Sequence, residues 1–199
     1  MKIGIDIDGV LTDYARFMYD YGTKFCVEKH LPLTIKPNQI DEAIFGWDEK
    51  ITEAFWNRYL EEYVTNYPAR IFASEVIKKL KEKHEIYIVT ARNEEGLPPE
   101  AYGKMRDFTK QWLKAQNIAY DAILYTKRGN KLKDCIENGV QLMVEDEPMN
   151  IEELKEKLMV LCYDCPYNQQ VEGKNIIRVY SWYDILDKIE RIDIEEKNK

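Results

Sequence analysis

The chain has 199 residues, of which 45% are hydrophobic, and it carries a formal net charge of −7 at pH 7. This composition excludes a disordered chain, and the apolar runs are too short to cross a bilayer. The acidic balance excludes long nucleic acid as a partner, because such binding needs a basic surface, but it is compatible with a small phosphorylated ligand. No apolar leader segment precedes the first strand, so we expect a cytoplasmic protein.

The first strand is predicted at the start of the chain, where isoleucine alternates with small or acidic residues from position 3 to 7 and Gly9 ends the pattern. Side chains two apart on a strand share a face, so Asp6 and Asp8 are expected side by side at its end. Two such carboxylates repel each other unless a cation lies nearby, which indicates a metal site or a nucleophile with an acid partner. The alternative is that they only cap the turn, although Asp13 is better placed as a helix cap.

Residues 14–69 are predicted to be mostly helical. Helical spacing runs from Tyr14 to about Glu28 and again from Ile51 to Val64, with an irregular connection between the two. The segment is therefore either a helical layer packed on the core or a separate lid. Its aromatic residues, which either form its own core or contact a ligand, are Tyr14, Phe17, Trp47, Phe55, Trp56 and Tyr59.

Short apolar strands alternate with helices from Pro68 onward, with strands predicted at 85–90, 121–125, 140–144, 159–163 and 176–179. One of the intervening helices is predicted from Ala101 to Trp112. This alternation predicts an α/β fold with a mostly parallel sheet and helices on both faces. In such sheets, ligands bind at the carboxyl ends of the strands.

Chemically distinctive residues follow four of these strands. Besides Asp6 and Asp8, they are Thr90, the lysines Lys127, Lys131 and Lys133, and the pair Glu145 and Asp146. Carboxylates that meet at one point require a divalent cation, and a small set of hard oxygen ligands suits Mg²⁺.

A phosphate ester would bind at such a centre. There Asp6 can attack phosphorus, Asp8 can act first as general acid and then as base, and Lys131 supplies a fixed positive charge. Thr90 and the backbone amides after it would donate to the remaining phosphate oxygens.

The four cysteines, Cys26, Cys135, Cys162 and Cys165, do not form a disulfide framework in a chain of this size. The spacing of Cys162 and Cys165 matches half of a zinc site, but no second cysteine pair completes it. Packing at the end of a strand is the favoured interpretation.

Four motifs lie in order at the predicted strand ends: the run Asp6-Ile7-Asp8-Gly9-Val10-Leu11-Thr12-Asp13, Thr90-Ala91-Arg92, a lysine that starts a helix, and Val144-Glu145-Asp146 followed by Asn150. Together they resemble the motifs of the haloacid dehalogenase superfamily of phosphohydrolases. Within that superfamily the chain is similar to the 5′-nucleotidase and deoxyribonucleotidase branch. The resemblance implies a Rossmann-like three-layer core formed by residues 1–13 and 70–199, with residues 14–69 inserted as a small helical cap.

The resemblance also implies roles for individual residues. The catalytic residues would be Asp6 as nucleophile, Asp8 as acid and base, Thr90 and Lys131. The substrate contacts would come from Thr90, Ala91, Arg92 and Lys131. The Mg²⁺ ligands would be Asp6, the backbone carbonyl of Asp8, and Asp146, with Glu145 as a further candidate.

Two assignments stay open at this point. Many members of the branch have two aspartates in the fourth motif, where this chain has Glu145 and Asp146; the distance to Asn150 favours Asp146 as the direct ligand. Lys131 is favoured over Lys127 and Lys133 because it opens a helix.

The leading functional hypothesis is a Mg²⁺-dependent phosphomonoesterase that hydrolyses a nucleoside or deoxynucleoside monophosphate through a phospho-aspartate. One alternative keeps the mechanism but replaces the substrate with a sugar phosphate or another small metabolite, and another is a phosphate-ester-binding module without turnover. Dehalogenation is disfavoured, because Asp8 and a Mg²⁺ site would have little to do in that reaction. The base, the sugar, the 5′ or 3′ position and the oligomeric state, a homodimer included, stay open.

Overall fold

A six-stranded sheet lies at the centre of the computed structural model, which describes residues 1–93, 103–127 and 129–197. Its strands are β1 (Lys2–Ile5), β2 (Glu85–Thr90), β3 (Ala122–Tyr125), β4 (Leu142–Glu145), β5 (Met159–Tyr163) and β6 (Ile176–Val179). They lie in the order β3-β2-β1-β4-β5-β6, and every neighbouring pair is parallel. The predicted α/β class with a mostly parallel sheet is confirmed.

Helices cover both faces of this sheet. They are α1 (Tyr14–Lys29), α2 (Glu49–Asn66), α3 (Ala73–Leu80), α4 (Met105–Ala115), α5 (Lys131–Glu137), α6 (Pro148–Leu154) and α7 (Trp182–Lys197), with a short 3₁₀ turn over Asp41–Ile44. Ala101, predicted to belong to the fourth helix, lies outside the described residues. None of the helices in the described part of the chain is long and apolar enough to span a membrane.

Two hydrophobic clusters form the layers between sheet and helices, because alternate residues of each strand point to opposite faces. On β4, Val144 packs into the cluster that contains Ile5 and Trp112, whereas Met143 packs into the cluster that contains Cys135 and Val160. The result is the predicted three-layer arrangement, in which β1 and β4 are buried on both sides.

The centre of the sheet is also where its strand order reverses. Strands β1 and β4 are neighbours, and Ile5 is in register with Val144 of β4 and with Ile88 of β2. The chain leaves β1 toward one edge and β4 toward the other, which opens a crevice above their carboxyl ends. Asp6 and Glu145 are thereby placed at the floor of this crevice.

The first strand is shorter than predicted. It ends at Ile5, and residues 7–11 form a tight turn that the Thr12 amide closes by donating to the Ile7 carbonyl at 2.9 Å. The expectation that Asp6 and Asp8 share a face of one strand is therefore wrong, because Asp8 lies in the turn, but both side chains still line the same cleft. Gly9 has a φ of 98°, and a Cβ there would lie 1.9 Å from Asp146 Oδ2, so only glycine fits.

Residues 14–69 form a hydrophobic cluster of their own. Its members include Phe17, Phe25, Phe55 and Tyr59, and Met105 of α4 also packs into it. The segment begins and ends at adjacent points of the core, because Thr12 pairs with Ala69 in an antiparallel bridge. Such closely spaced ends are expected of an insertion. The division into a core of residues 1–13 and 70–199 and a cap of residues 14–69 stays a prediction.

All four cysteines are buried free thiols. Burial raises the pKa of Cys162 to about 11 and also raises the pKa of Cys165, so neither thiol is readily ionised at neutral pH. Both belong to hydrophobic clusters, as the packing interpretation predicts.

Candidate active site

A cleft of about 610 Å³ opens above the carboxyl ends of β1, β2 and β4. Its core side includes seven of the eight predicted site residues, namely Asp6, Asp8, Ala91, Arg92, Lys131, Glu145 and Asp146. Helix α2 lines the opposite side with Trp56, Leu60 and Tyr63. The six aromatic residues of this segment were expected either to form its core or to contact a ligand. Tyr14 and Trp56 line the cleft, whereas Phe17, Trp47, Phe55 and Tyr59 do not line it and pack in the cluster of residues 14–69.

Lys131 is the buried cation of this site. It begins α5, and its Nζ lies 2.8 Å from Asp6 Oδ1 and 2.6 Å from Glu145 Oε2. Burial lowers the pKa of Lys131, but the two carboxylates more than offset this and hold it above its ordinary value. Lys127 is exposed, and Lys133 pairs only loosely with Glu137 at 3.9 Å. The geometry therefore favours Lys131, rather than Lys127 or Lys133, as the lysine that would bind the substrate phosphate.

The two acidic residues that end β4 differ in how their oxygens are satisfied. Glu145 Oε2 accepts from Lys131, and Oε1 accepts from the amides of Asp146 and Glu147 at 3.2 and 3.1 Å. Asp146 Oδ2 accepts from the Tyr167 hydroxyl. Asp146 Oδ1 is buried and has no hydrogen-bond partner among the residues that the structure describes.

An unpaired buried carboxylate oxygen is costly unless it binds a cation. Asp6, Glu145 and Asp146 each offer an oxygen, and these atoms lie within 4.8 Å of one another. The set contains hard oxygen donors only, which fits Mg²⁺. Because Glu145 is already hydrogen-bonded on both oxygens, Asp146 is the better placed of the two to bind a metal directly.

The pKa values of Asp6 and Asp146 are raised, because burial disfavours their charged forms. Burial raises the pKa of Asp6 to about 8, although Lys131 acts in the opposite direction. Burial and the nearby Glu145 raise the pKa of Asp146 well above its ordinary value. A divalent cation would remove both penalties, because it favours the ionised forms.

Asp8 pairs with Arg92, whereas Asp6 pairs with Lys131. Its carboxylate accepts from Arg92 Nη2 at 2.6 Å and from the Tyr63 hydroxyl at 2.7 Å. The side-chain oxygens of Asp8 are thus bound by protein groups. If Asp8 contributes to a metal site, its backbone carbonyl is the atom that remains for this purpose.

Thr90 is fully buried and is not among the cleft-lining residues of the described chain. Its hydroxyl accepts from the Arg92 amide at 3.2 Å. Ala91 and Arg92 do line the cleft. The phosphate contacts of Thr90, Ala91 and Arg92 stay predictions.

Several residues that shape the site were not identified from the sequence. Arg70 donates to the carbonyls of Gly9 and Thr12, each at 3.1 Å, and thereby fixes the turn that follows β1. Asn168 donates to the Asp146 carbonyl at 2.8 Å, next to Tyr167. No local pattern marks these residues, because each acts on a segment that is distant in sequence.

Residues 1–195 match the family model described as "5' nucleotidase, deoxy (Pyrimidine), cytosolic type C protein". A protein of Bacillus cereus named as a candidate nucleotidase is 31% identical over 200 residues, with 96% of this chain and 99% of that protein covered. A protein of Clostridium acetobutylicum named as a nucleotidase is 26% identical over 193 residues, with 96% and 95% covered.

Solved structures share the fold at low sequence identity. A haloacid dehalogenase-like hydrolase from Streptococcus pneumoniae superposes with a TM-score of 0.65 at 14% identity, covering 94% of this chain and 97% of its own. A candidate haloacid dehalogenase hydrolase from Bacillus subtilis, solved bound to magnesium, gives a TM-score of 0.57 at 14% identity with the same coverages.

The resemblance noted from the four motifs is thus confirmed, and so is the expectation of an enzyme that acts on a small phosphorylated substrate. The family match spans nearly the whole chain and includes every residue of the cleft described above. The chain belongs to the cytosolic type C 5′-nucleotidase family of the haloacid dehalogenase superfamily and is a hydrolase of phosphoric monoesters.

Proposed function

We propose that this protein is a Mg²⁺-dependent phosphomonoesterase that hydrolyses a nucleoside or deoxynucleoside monophosphate through a phospho-aspartate on Asp6. The observation that carries the proposal is the buried arrangement of Lys131 between Asp6 and Glu145, next to the unpaired Asp146 Oδ1 and at the floor of the cleft. Asp6 and Asp146 with the Asp8 carbonyl would hold Mg²⁺. The ion would supply positive charge for the phosphoryl oxygens.

The protein groups divide the reaction between them. An oxygen of Asp6 attacks phosphorus, and the bond from phosphorus to the ester oxygen breaks while Asp8 donates a proton to the leaving oxygen. Asp8 then removes a proton from water, which attacks the phosphorus of the acyl phosphate and releases inorganic phosphate and free Asp6. Lys131 keeps a positive charge beside Asp6 throughout.

The nucleotide assignment is supported by the family match and by the shape of the cleft. Its volume of about 610 Å³ lies within the range of small-molecule sites, roughly 300–1,000 Å³. Trp56 and Leu60 of α2 give the wall above the catalytic floor an apolar surface on which a base can pack. Sugar phosphates lack such a planar apolar group, and this is the basis for preferring nucleotides.

A panel assay tests this proposal. Phosphate release is measured with purine and pyrimidine 5′- and 3′-monophosphates and with sugar phosphates, each with Mg²⁺ and with excess chelator. We expect turnover of at least one nucleotide that the chelator abolishes and added Mg²⁺ restores. Chelator-resistant turnover would contradict the metal assignment, and equal rates on both substrate classes would contradict the nucleotide assignment.

The raised pKa values predict a pH dependence for metal binding. The Asp6 carboxyl, with a pKa of about 8 without metal, must lose its proton when Mg²⁺ binds, so affinity should rise as pH increases toward 8. In the unfolded chain this carboxyl has a pKa of about 3.9. The stability of the metal-free protein should therefore fall as pH rises from about 4 through 8.

Calorimetric titration with Mg²⁺ in two buffers of different ionisation enthalpy measures the protons released. We expect net proton release near pH 7, because the Asp6 carboxyl is then mostly protonated before Mg²⁺ binds. Binding with no proton release at any pH between 6 and 8 would show that the carboxyls are already ionised without metal.

A further inference from the structure

Asp8 is held on both of its oxygens by two side chains from different parts of the chain. Arg92 Nε lies 3.1 Å from Oδ1 and 3.0 Å from Oδ2, and Arg92 Nη2 lies 2.6 Å from Oδ1. The Tyr63 hydroxyl donates to Oδ1 at 2.7 Å. Oδ1 therefore accepts three hydrogen bonds. Oδ2 accepts only one, from Arg92 Nε, which is also within hydrogen-bond distance of Oδ1.

The two side chains that hold Asp8 are themselves fixed. The Arg92 side chain is only 4% exposed, and its guanidinium lies 5.4 Å from the ring centre of Tyr63 and 5.3 Å from that of Trp112. Arg92 Nη1 also donates to the Val64 carbonyl at 3.4 Å. A buried arginine with these partners has little rotamer freedom and presents a rigid fork to the carboxylate.

Tyr63 links this arrangement to the turn that follows β1. Its hydroxyl lies 2.8 Å from Thr12 Oγ1 as well as bonding Asp8. Burial raises the pKa of the Tyr63 phenol well above its ordinary value, so it stays protonated and acts as a donor. Tyr63 belongs to α2, whereas Arg92 lies two residues beyond the end of β2, so Asp8 is held from both sides of the cleft.

We propose that Arg92 and Tyr63 are positioning residues for proton transfer: their hydrogen bonds occupy Oδ1 of the Asp8 carboxyl group, so that Oδ2 carries the proton that passes to the leaving oxygen of the substrate. This inference rests on the proposed phosphomonoesterase function. It assigns the Arg92 side chain a role distinct from the backbone phosphate contact expected of Arg92, because its guanidinium is used by Asp8. Neither side chain is required to touch the phosphate.

The choice of leaving group separates this role from a structural one. An alkyl phosphate expels a strongly basic alkoxide and needs a proton from Asp8, whereas 4-nitrophenyl phosphate expels a weakly basic phenolate that needs little help. The ratio kcat/KM reports the steps up to release of the first product, so it isolates this proton donation from later hydrolysis of the phospho-aspartate.

The test compares kcat/KM for a nucleoside monophosphate and for 4-nitrophenyl phosphate in Arg92→Met, Arg92→Lys and Tyr63→Phe. We expect Arg92→Met to lose about 10²-fold on the nucleotide, within the usual contribution of a positioned acid, but only a few-fold on the aryl ester. Tyr63→Phe should show the same pattern more weakly, and Arg92→Lys should recover part of the nucleotide rate. The inhibition constant of inorganic phosphate should not change.

Tyr59→Phe is the matched control, because the Tyr59 hydroxyl is buried on the same helix and has no hydrogen-bond partner within the described part of the chain. It should leave both rates unchanged. Equal losses on the two esters, or a weaker inhibition by phosphate that accounts for the loss, would overturn the positioning role.

The wild-type rates separate this inference from the proposed function. Wild-type turnover of both esters combined with parallel losses in the variants overturns only the positioning role. If the wild type hydrolyses neither ester in the presence of Mg²⁺, both proposals fall. Should Arg92→Met fail to fold, as thermal unfolding would reveal, Tyr63→Phe and Arg92→Lys still decide the question.

Discussion

Asp6→Asn is expected to abolish phosphate release, with a loss in kcat of at least ~10⁴-fold, because an amide cannot replace the carboxylate that attacks phosphorus. The fold should persist, since asparagine has nearly the same shape and can still accept a hydrogen bond from Lys131 Nζ, which lies 2.8 Å from Asp6 Oδ1. Turnover of the nucleotide identified in the panel is the measurement, with thermal unfolding as the check on folding.

Asp20→Asn provides the control for this change. Asp20 lies on α1 and pairs with Arg16 at 2.8 Å on the exposed surface, so its charge should have no effect on turnover. If Asp6→Asn retained phosphate release within a few-fold of wild type, Asp6 would not be the nucleophile.

Lys131→Met is expected to have the largest effect on stability. It leaves Asp6 and Glu145 as buried carboxylates without their shared cation, and breaking a buried ion pair from one side costs about 3–5 kcal/mol. Turnover should also be lost, because no fixed positive charge remains beside the phosphoryl group. The free energy of unfolding from denaturant titration measures the first effect.

The adjacent surface lysine gives the matched comparison. Lys133→Met removes a charge whose nearest acidic partner, Glu137, is 3.9 Å away and exposed, so the unfolding free energy should change by about 0.5 kcal/mol or less. Added Mg²⁺ should restore part of the stability of Lys131→Met, since a divalent cation replaces the missing charge. A Lys131→Met protein as stable as Lys133→Met would contradict the buried-cation assignment.

The core could be predicted from the sequence because its strands are short apolar runs and its site follows a topological rule. Ile5, Ile88 and Val144 each precede chemically distinctive residues, and parallel pairing brings those strand ends together. Hydrophobic periodicity was sufficient to predict these strands because each pattern lies within a few consecutive residues. The point at which β1 ends could not be predicted in the same way, since it depends on how Gly9 packs against Asp146.

The supporting residues of the site could not be predicted, because their contacts join distant segments. Tyr63 reaches Asp8 across 55 positions, and Arg70 reaches Gly9 across 61. No sequence pattern distinguishes Tyr63 from Tyr59, the tyrosine one turn earlier on α2. Both pack in the same hydrophobic cluster, but only the Tyr63 hydroxyl binds Asp8. Only the tertiary structure separates the two.

The choice between Glu145 and Asp146 likewise depends on hydrogen bonds that the sequence does not encode locally. Glu145 is the last residue of β4 and Asp146 is the next residue, and both are 1% exposed. Lys131 donates a hydrogen bond to Glu145, whereas one carboxylate oxygen of Asp146 has no hydrogen-bond partner in the described structure. The residue favoured from the spacing to Asn150 is thus also favoured by the geometry, although its role as metal ligand stays a proposal.

Direct detection of the covalent intermediate tests the central claim. The enzyme is mixed with its nucleotide and Mg²⁺, quenched in acid and treated with borohydride, which reduces an aspartyl phosphate to homoserine, and the peptides are mapped by mass spectrometry. We predict homoserine at position 6, present only when substrate and Mg²⁺ were both supplied. Full turnover with Asp6 unmodified, or with the label on another carboxylate, would contradict a phospho-aspartate at Asp6.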